Sequence, residues 1–102
     1  MVVEVMVEGA EVALWGRLDA RCAPEVREVL HRAIDTGRGD LIVHLDGLDI
    51  FDATGLGVIV GAHRRAARRE RRLVLVGVAH RQMRLLRAAR LHRLLCVEPV
   101  LC

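Results

Sequence analysis

Two short apolar runs limit what this chain can become. Asp40-Leu41-Ile42-Val43-His44-Leu45 and Leu73-Val74-Leu75-Val76 are nearly continuous in hydrophobic residues, the pattern of strands covered by packed layers in a parallel sheet. The segment between them, about Gly55 to Arg71, carries apolar residues at helical spacing. Strand, helix, strand in that order implies a right-handed βαβ unit and an α/β fold.

The flanks extend the pattern. Val3, Val5 and Val7 alternate with Glu4, Met6 and Glu8, a period of two that marks a half-exposed strand. After the turn Glu8-Gly9-Ala10, a second alternating run from Glu11 to Trp15 can pair with the first as a hairpin. Pro24 opens a helix whose apolar positions are Val26, Val29, Leu30 and Ile34, with Arg27, Glu28, Arg32 and Asp35 on the other face. Thr36-Gly37-Arg38-Gly39 supplies the glycine expected at its end. A third helix is expected from about Arg81 to Ala89, with Met83, Leu86 and Ala89 inward, then a last short strand from Leu94 to Val97. The expectation is a single α/β domain over residues 1–102, with a mixed, mostly parallel sheet of about five strands. No linker, repeat or low-complexity segment divides it.

Hydroxyl chemistry has few places to occur. Ser, Tyr, Lys and Asn are absent, and Thr36 and Thr54 are the only threonines. Thr54 lies in the stretch Asp46-Gly47-Leu48-Asp49-Ile50-Phe51-Asp52-Ala53-Thr54-Gly55-Leu56-Gly57, where a strand runs into a turn and the turn starts a helix.

The run from Phe51 to Gly61, between a strand ending at Asp46 and the run Leu73-Val74-Leu75-Val76-Gly77, resembles the STAS domain of bacterial anti-sigma factor antagonists. The resemblance covers nearly the whole chain, including Gly16-Arg17-Leu18-Asp19 before the first helix. It implies a superhelix of βα turns with an N-terminal strand added at the edge. It also implies that the turn Asp52-Ala53-Thr54-Gly55-Leu56 carries the phosphorylated hydroxyl on Thr54. Two departures stand out. The loop after the central helix, usually Gly-rich, is Arg68-Arg69-Glu70-Arg71-Arg72, and the chain stops after Val97-Glu98-Pro99-Val100-Leu101-Cys102, where many members continue into a final helix.

Local chemistry agrees with that assignment. A Thr at or beside a helix N-cap can accept a hydrogen bond from the first turn, and its phosphorylated form meets the positive end of the helix dipole, a term of roughly 0.3 to 1 kcal/mol. A helical wheel places Leu56, Ile59, Val60, His63 and Ala67 on one face and Thr54, Gly57, Gly61, Arg65 and Arg68 on the other. Each glycine in an exposed helix costs about 1 kcal/mol relative to Ala. Gly57 and Gly61 therefore either admit a partner's backbone or pack against another helix of the same chain. Asp52 either shapes the acceptor turn or is an ordinary turn Asp bonding its own backbone. Asp46 and Asp49 add negative charge near Thr54, and nothing places them at a shared metal.

Other function classes find little support. Phe and Trp occur once each and Tyr not at all, so aromatic platforms for sugars or bases are lacking. The formal charge is +3, but all 16 basic residues are Arg, which reads as coding bias and weakens the case for a nucleic-acid partner. Arg64 to Arg72 is either a phosphate-binding stripe or, as favoured here, the solvated end of an amphipathic helix. Cys22, Cys96 and Cys102 form no CxxC pair, and the histidines are scattered over different elements. The Thr36-Gly37-Arg38-Gly39 loop lacks the Lys and spacing of a P-loop. No catalytic residue, metal or cofactor is expected, and the N-terminus is too short and acidic for a signal peptide.

The resemblance thus implies a cytoplasmic protein-interaction switch. Its unmodified form binds an anti-sigma factor kinase and frees a sigma factor; phosphorylation of Thr54 ends the binding, and a Ser/Thr phosphatase restores it. The docking surface is expected at Asp52, Ala53, Thr54, Gly55, Gly57, Gly61 and Arg65. No membrane or direct nucleic-acid partner is expected, and the state is monomer or weak dimer. The alternatives are an accessory subunit of a transporter or signalling complex, or a nucleic-acid or nucleotide binder using Arg64 to Arg72.

Overall fold

The computed structural model describes residues 2–98, the side chains of residues 49–51 excepted. Five strands form one sheet in the order β1-β2-β3-β4-β5: β1 (Val2–Val7), β2 (Glu11–Leu18), β3 (Leu41–Phe51), β4 (Leu73–Val76) and β5 (Cys96–Val97). β1 runs antiparallel to β2 at the edge, and β2, β3, β4 and β5 are parallel. The helices α1 (Ala23–Thr36), α2 (Ala53–Arg68) and α3 (His80–Ala88) supply the crossovers. The alternation read from the two apolar runs is the architecture found, an α/β fold with a mixed, mostly parallel sheet.

The core is aliphatic. Val12, Leu14, Leu41, Val43, Leu45, Leu73 and Leu75 from the strands meet Val26, Leu30, Ile34, Ile59 and Leu86 from the helices, all essentially inaccessible. Met83 is only half-buried and Ala89 is exposed, so α3 anchors differently from expectation. Its second buried residue is Gln82, whose Nε2 donates to the Leu48 carbonyl (2.9 Å) while its Oε1 accepts from the Ala79 N–H (2.9 Å). A polar residue is stable there because both ends of its amide are bonded.

Strands β2 and β3 both run further than the alternation of the one and the apolar run of the other indicate. β2 continues through Leu18 and β3 through Phe51, with register shifts between Ala13 and Trp15 and between Gly16 and Arg17. These shifts interrupt the alternation of β2 from Trp15 onward. Gly47 sits opposite Trp15, and a Cβ there would lie inside the indole ring, so only glycine lets the ring cover that point of the strand. The last strand is shorter than expected, Cys96–Val97. Residues 99–102, where the chain was expected to lack a further helix, lie outside the described residues.

The close of α1 also differs. Gly37 is extended, not left-handed (φ −115°), and its requirement is contact: a Cβ at Gly37 would overlap the Gly9 carbonyl. The two turns approach so closely because Arg71 ties them together. The residue is 6% exposed, and its guanidinium donates to the carbonyls of Ala33 (2.8 Å), Ile34 (2.9 Å), Gly39 (2.8 Å) and Gly9. Orphan carbonyls at a helix C-terminus are thereby satisfied by a cation aligned with the helix dipole. Burial lowers the pKa of Arg71 from the ordinary guanidinium value, opposed by the charge of Asp40. The expectation that residues 64–72 form a solvated helix end fails at this position: α2 ends at Arg68, Glu70 takes a positive φ (58°), and Arg71 turns inward.

Candidate functional site

The C-terminal edge of the parallel strands is where open α/β sheets present their sites, and here β2 and β3 deliver the chain to the start of α2. Leu18 pairs with Phe51, and the Asp52 N–H reaches the Leu18 carbonyl at 3.4 Å. Asp52 is the N-cap. Its backbone is extended, its Oδ1 accepts from the Gly55 N–H (3.0 Å), and its carbonyl accepts from the Leu56 N–H (2.8 Å). Capping by a carboxylate satisfies one orphan donor and complements the dipole. The cap is thus Asp52, with Thr54 two residues into the helix.

Ala53, Thr54 and Gly57 are exposed, Gly61 is half-buried, and Gly55 is buried beneath the cap. Among the described residues the Thr54 hydroxyl has no hydrogen-bond partner. Thr36, by contrast, bonds back to the Arg32 carbonyl at 2.8 Å. The two hydroxyls therefore differ in availability. The charge expected from Asp49 beside Thr54 rests on a side chain outside the described residues.

A Cβ placed on Gly57 or Gly61 meets nothing within 4 Å. Packing against another helix of the same chain is therefore excluded, among the described residues, as the reason for these glycines. The buried sector of α2 is Gly55, Leu56, Val58, Ile59, Ala62 and Ala66. The expected inward positions Val60 and His63 are only half-buried, and Ala67 is exposed. The helix packs on α1 as well as on the sheet, which turns small residues Ala62 and Ala66 inward and rotates the sector away from the predicted face.

Arg65 is not a free cation. Its Nε and one terminal nitrogen donate to both oxygens of Asp35 on α1 (3.0 and 2.6 Å), and Arg69 pairs with the same carboxylate at 2.9 Å. The Arg65 hydrogen bond holds the Asp35 carboxyl below the ordinary carboxylate value against the opposing effect of burial, with further help from the charges of Arg65 and Arg69. Arg72 pairs likewise with Asp40 at 2.7 Å. Much of the arginine stripe thus pins α2 and its following loop to α1 and to the start of β3. This arrangement was not legible in the sequence, because Asp35 and Asp40 lie some thirty positions away from their partners (|i−j| 30 and 32). Among the described residues no group of three His, Cys, Asp or Glu side chains is placed to hold a metal ion, and no helix is long and apolar enough to cross a membrane. Cys22 and Cys96 are free thiols; Cys102 lies outside the described residues.

Comparison with known proteins places this geometry. Residues 6–101 match the STAS domain family. An anti-sigma-B factor antagonist of Staphylococcus aureus is 36% identical over 75 residues, which span 74% of this chain and 69% of that protein. Among solved structures, the anti-sigma factor antagonist SpoIIAA superposes in its unphosphorylated form with a TM-score of 0.72 at 18% identity, covering 97% of this chain and 87% of that one. SpoIIAA of Bacillus has also been solved in a phosphorylated form, which superposes with a TM-score of 0.71 at 18% identity over 96% of this chain and 90% of that one. A sulfate transporter family protein from Wolinella succinogenes aligns with a TM-score of 0.74 at 22% identity, covering 90% of this chain and 75% of that one; at such identities the structural likenesses establish the fold alone. By sequence and by architecture together, this chain belongs to the STAS domain family.

Proposed function

We propose that this chain is an anti-sigma factor antagonist. In its unmodified form it docks a Ser/Thr-kinase-type anti-sigma factor along the exposed side of α2 and releases the sigma factor. Phosphorylation of Thr54 by that kinase ends the docking, and a phosphatase restores it. The whole chain acts as one STAS domain in the cytoplasm, by binding and not by catalysis.

The observation that carries the reading is the juxtaposition at the start of α2. An exposed Thr54 hydroxyl, unbonded among the described residues, stands beside Asp52, which already caps the helix, and ahead of Gly57 and Gly61, whose Cβ positions are open. A kinase needs such an accessible hydroxyl, and a partner backbone can approach where side chains are missing. The added phosphate brings about 1.5 to 2 negative charges beside the Asp52 carboxylate and overfills a surface matched to a methyl and a hydroxyl. The identity to the Staphylococcus aureus antagonist supports the same reading.

The test is a titration against each ATP-dependent kinase-like anti-sigma factor encoded in the same genome, reading both affinity and release of the bound sigma factor. The expected result is saturable binding by one of them with sigma release, lost in Gly61→Arg. Binding by none, or binding indifferent to Gly61→Arg, contradicts the proposal.

A further inference from the structure

We propose that the corner between α3 and β5 is a binding site for a phosphate-type oxyanion, held by Arg87, Arg90 and Arg93 with His92. These four side chains line a cavity of about 350 Å³, far along the chain from Thr54. From Arg71 to Val97 the sequence contains no Asp or Glu, while Arg81, Arg84, Arg87, Arg90 and Arg93 recur every third residue. Three arginines of α2 and its loop, Arg65, Arg69 and Arg72, have a carboxylate partner, although Arg64 and Arg68 do not among the described residues. Among the described residues none of the three cavity arginines has an ion pair or a hydrogen bond of its side chain. Coding bias toward Arg explains their number, not their gathering around one cavity with no carboxylate partner among the described residues.

The His92 ring lines the same cavity; its Nδ1 is buried away from solvent. Guanidinium forks match the oxygens of a phosphate in paired, charge-assisted hydrogen bonds. Arg90 is held with a positive φ (59°), a conformation uncommon for a residue with a side chain, and the backbone there reverses direction so that Arg87 and Arg93 line the same cavity. Among the described residues no Phe, Trp or Tyr lines it, so the recognised chemistry is the phosphate itself and not a stacked base. Its source is either a free phosphate or an anionic lipid headgroup, since Leu85 and Leu94 are exposed nearby in the chain.

The experiment is an NMR titration of the full chain with sodium phosphate, against sodium chloride at matched ionic strength. Saturable shifts confined to residues 87–93 and the His92 ring are expected with phosphate and not with chloride. The Arg87→Gln/Arg93→Gln double variant, both positions exposed, should keep the rest of the spectrum and bind phosphate at least tenfold more weakly. Sedimentation with phosphatidylglycerol and phosphatidylcholine vesicles separates the sources. Retention on the anionic vesicles that is lost in the double variant assigns a lipid headgroup, and phosphate binding without retention assigns a free phosphate. Shifts that follow ionic strength, that fall equally on Arg64 to Arg72, or that persist unchanged in the double variant overturn the proposal.

Discussion

Asp52 receives the Gly55 N–H on its side chain, and this 3.0 Å bond leaves the Thr54 hydroxyl between them free of any capping duty. The division of labour has a measurable consequence. Asp52→Ala removes an N-cap and should destabilise the fold by about 1 kcal/mol, whereas Thr54→Ala, at an exposed position with no side-chain bond among the described residues, should shift stability by less than about 0.5 kcal/mol. Urea denaturation of both variants checks this. Equal losses would mean that Thr54 caps the helix after all.

Gly61 offers a separation of stability from binding. With open space at its Cβ, Gly61→Ala should stabilise the protein by about 0.5 to 1 kcal/mol, since glycine in a helix carries an entropic penalty. Gly61→Arg should leave the fold intact and abolish docking to the anti-sigma factor. A Gly61→Ala protein that melts lower would show that the glycine has a packing role within the chain.

Arg71 is the arginine whose loss should be felt throughout the fold. Its guanidinium joins the end of α1, the β1–β2 turn and the approach to β3. Arg71→Met leaves several buried carbonyls unpaired and should cost roughly 3 kcal/mol or more. The solvent-exposed neighbour Arg68→Met, with a single long bond to the Arg64 carbonyl, should cost little. Parallel thermal melts of the two variants decide it.

Acid should weaken the fold in two steps. The pKa of His31 is lowered, chiefly by burial and then by Arg65, so the unfolded chain takes up that proton first and stability falls as pH drops below the ordinary histidine value, levelling once folded His31 is protonated. Asp35 and Asp40 are lowered mainly by hydrogen bonds from Arg65 and Arg72. Their contribution is present above the ordinary carboxylate value and is lost as pH falls through the folded pKa. His31→Gln should remove the first step and Asp35→Asn part of the second, in denaturation midpoints followed from pH 8 to pH 3. A profile that both variants leave unchanged would contradict the assignment.

The layout was readable because β3 and β4 are nearly continuous apolar runs and the helices follow a simple period, and because Phe51 to Gly61 holds a turn, a hydroxyl and three glycines in one short run. The misses share a cause: each depends on contacts between residues distant in sequence. Gly37 is explained by Gly9 and not by a left-handed cap. Arg71 looks like one more surface arginine until the end of α1 is brought against it. The inward sector of α2 turned because α1 covers a side that a wheel drawn for one packing surface cannot represent. Gln82 is apolar in neither type nor pattern, and only the carbonyl of Leu48 accounts for its burial.

The most direct measurement is the site of phosphate transfer and its effect on docking. After incubation with the cognate anti-sigma kinase and ATP, mass spectrometry should find one phosphate on the wild-type chain, at Thr54, and none on Thr54→Ala. In the same titration Thr54→Ala should bind like the unmodified wild type, and Thr54→Glu and the phosphorylated protein should bind at least tenfold more weakly. Phosphate on Thr36, whose hydroxyl is already bonded to the Arg32 carbonyl, or equal binding by all four forms, would contradict the switch.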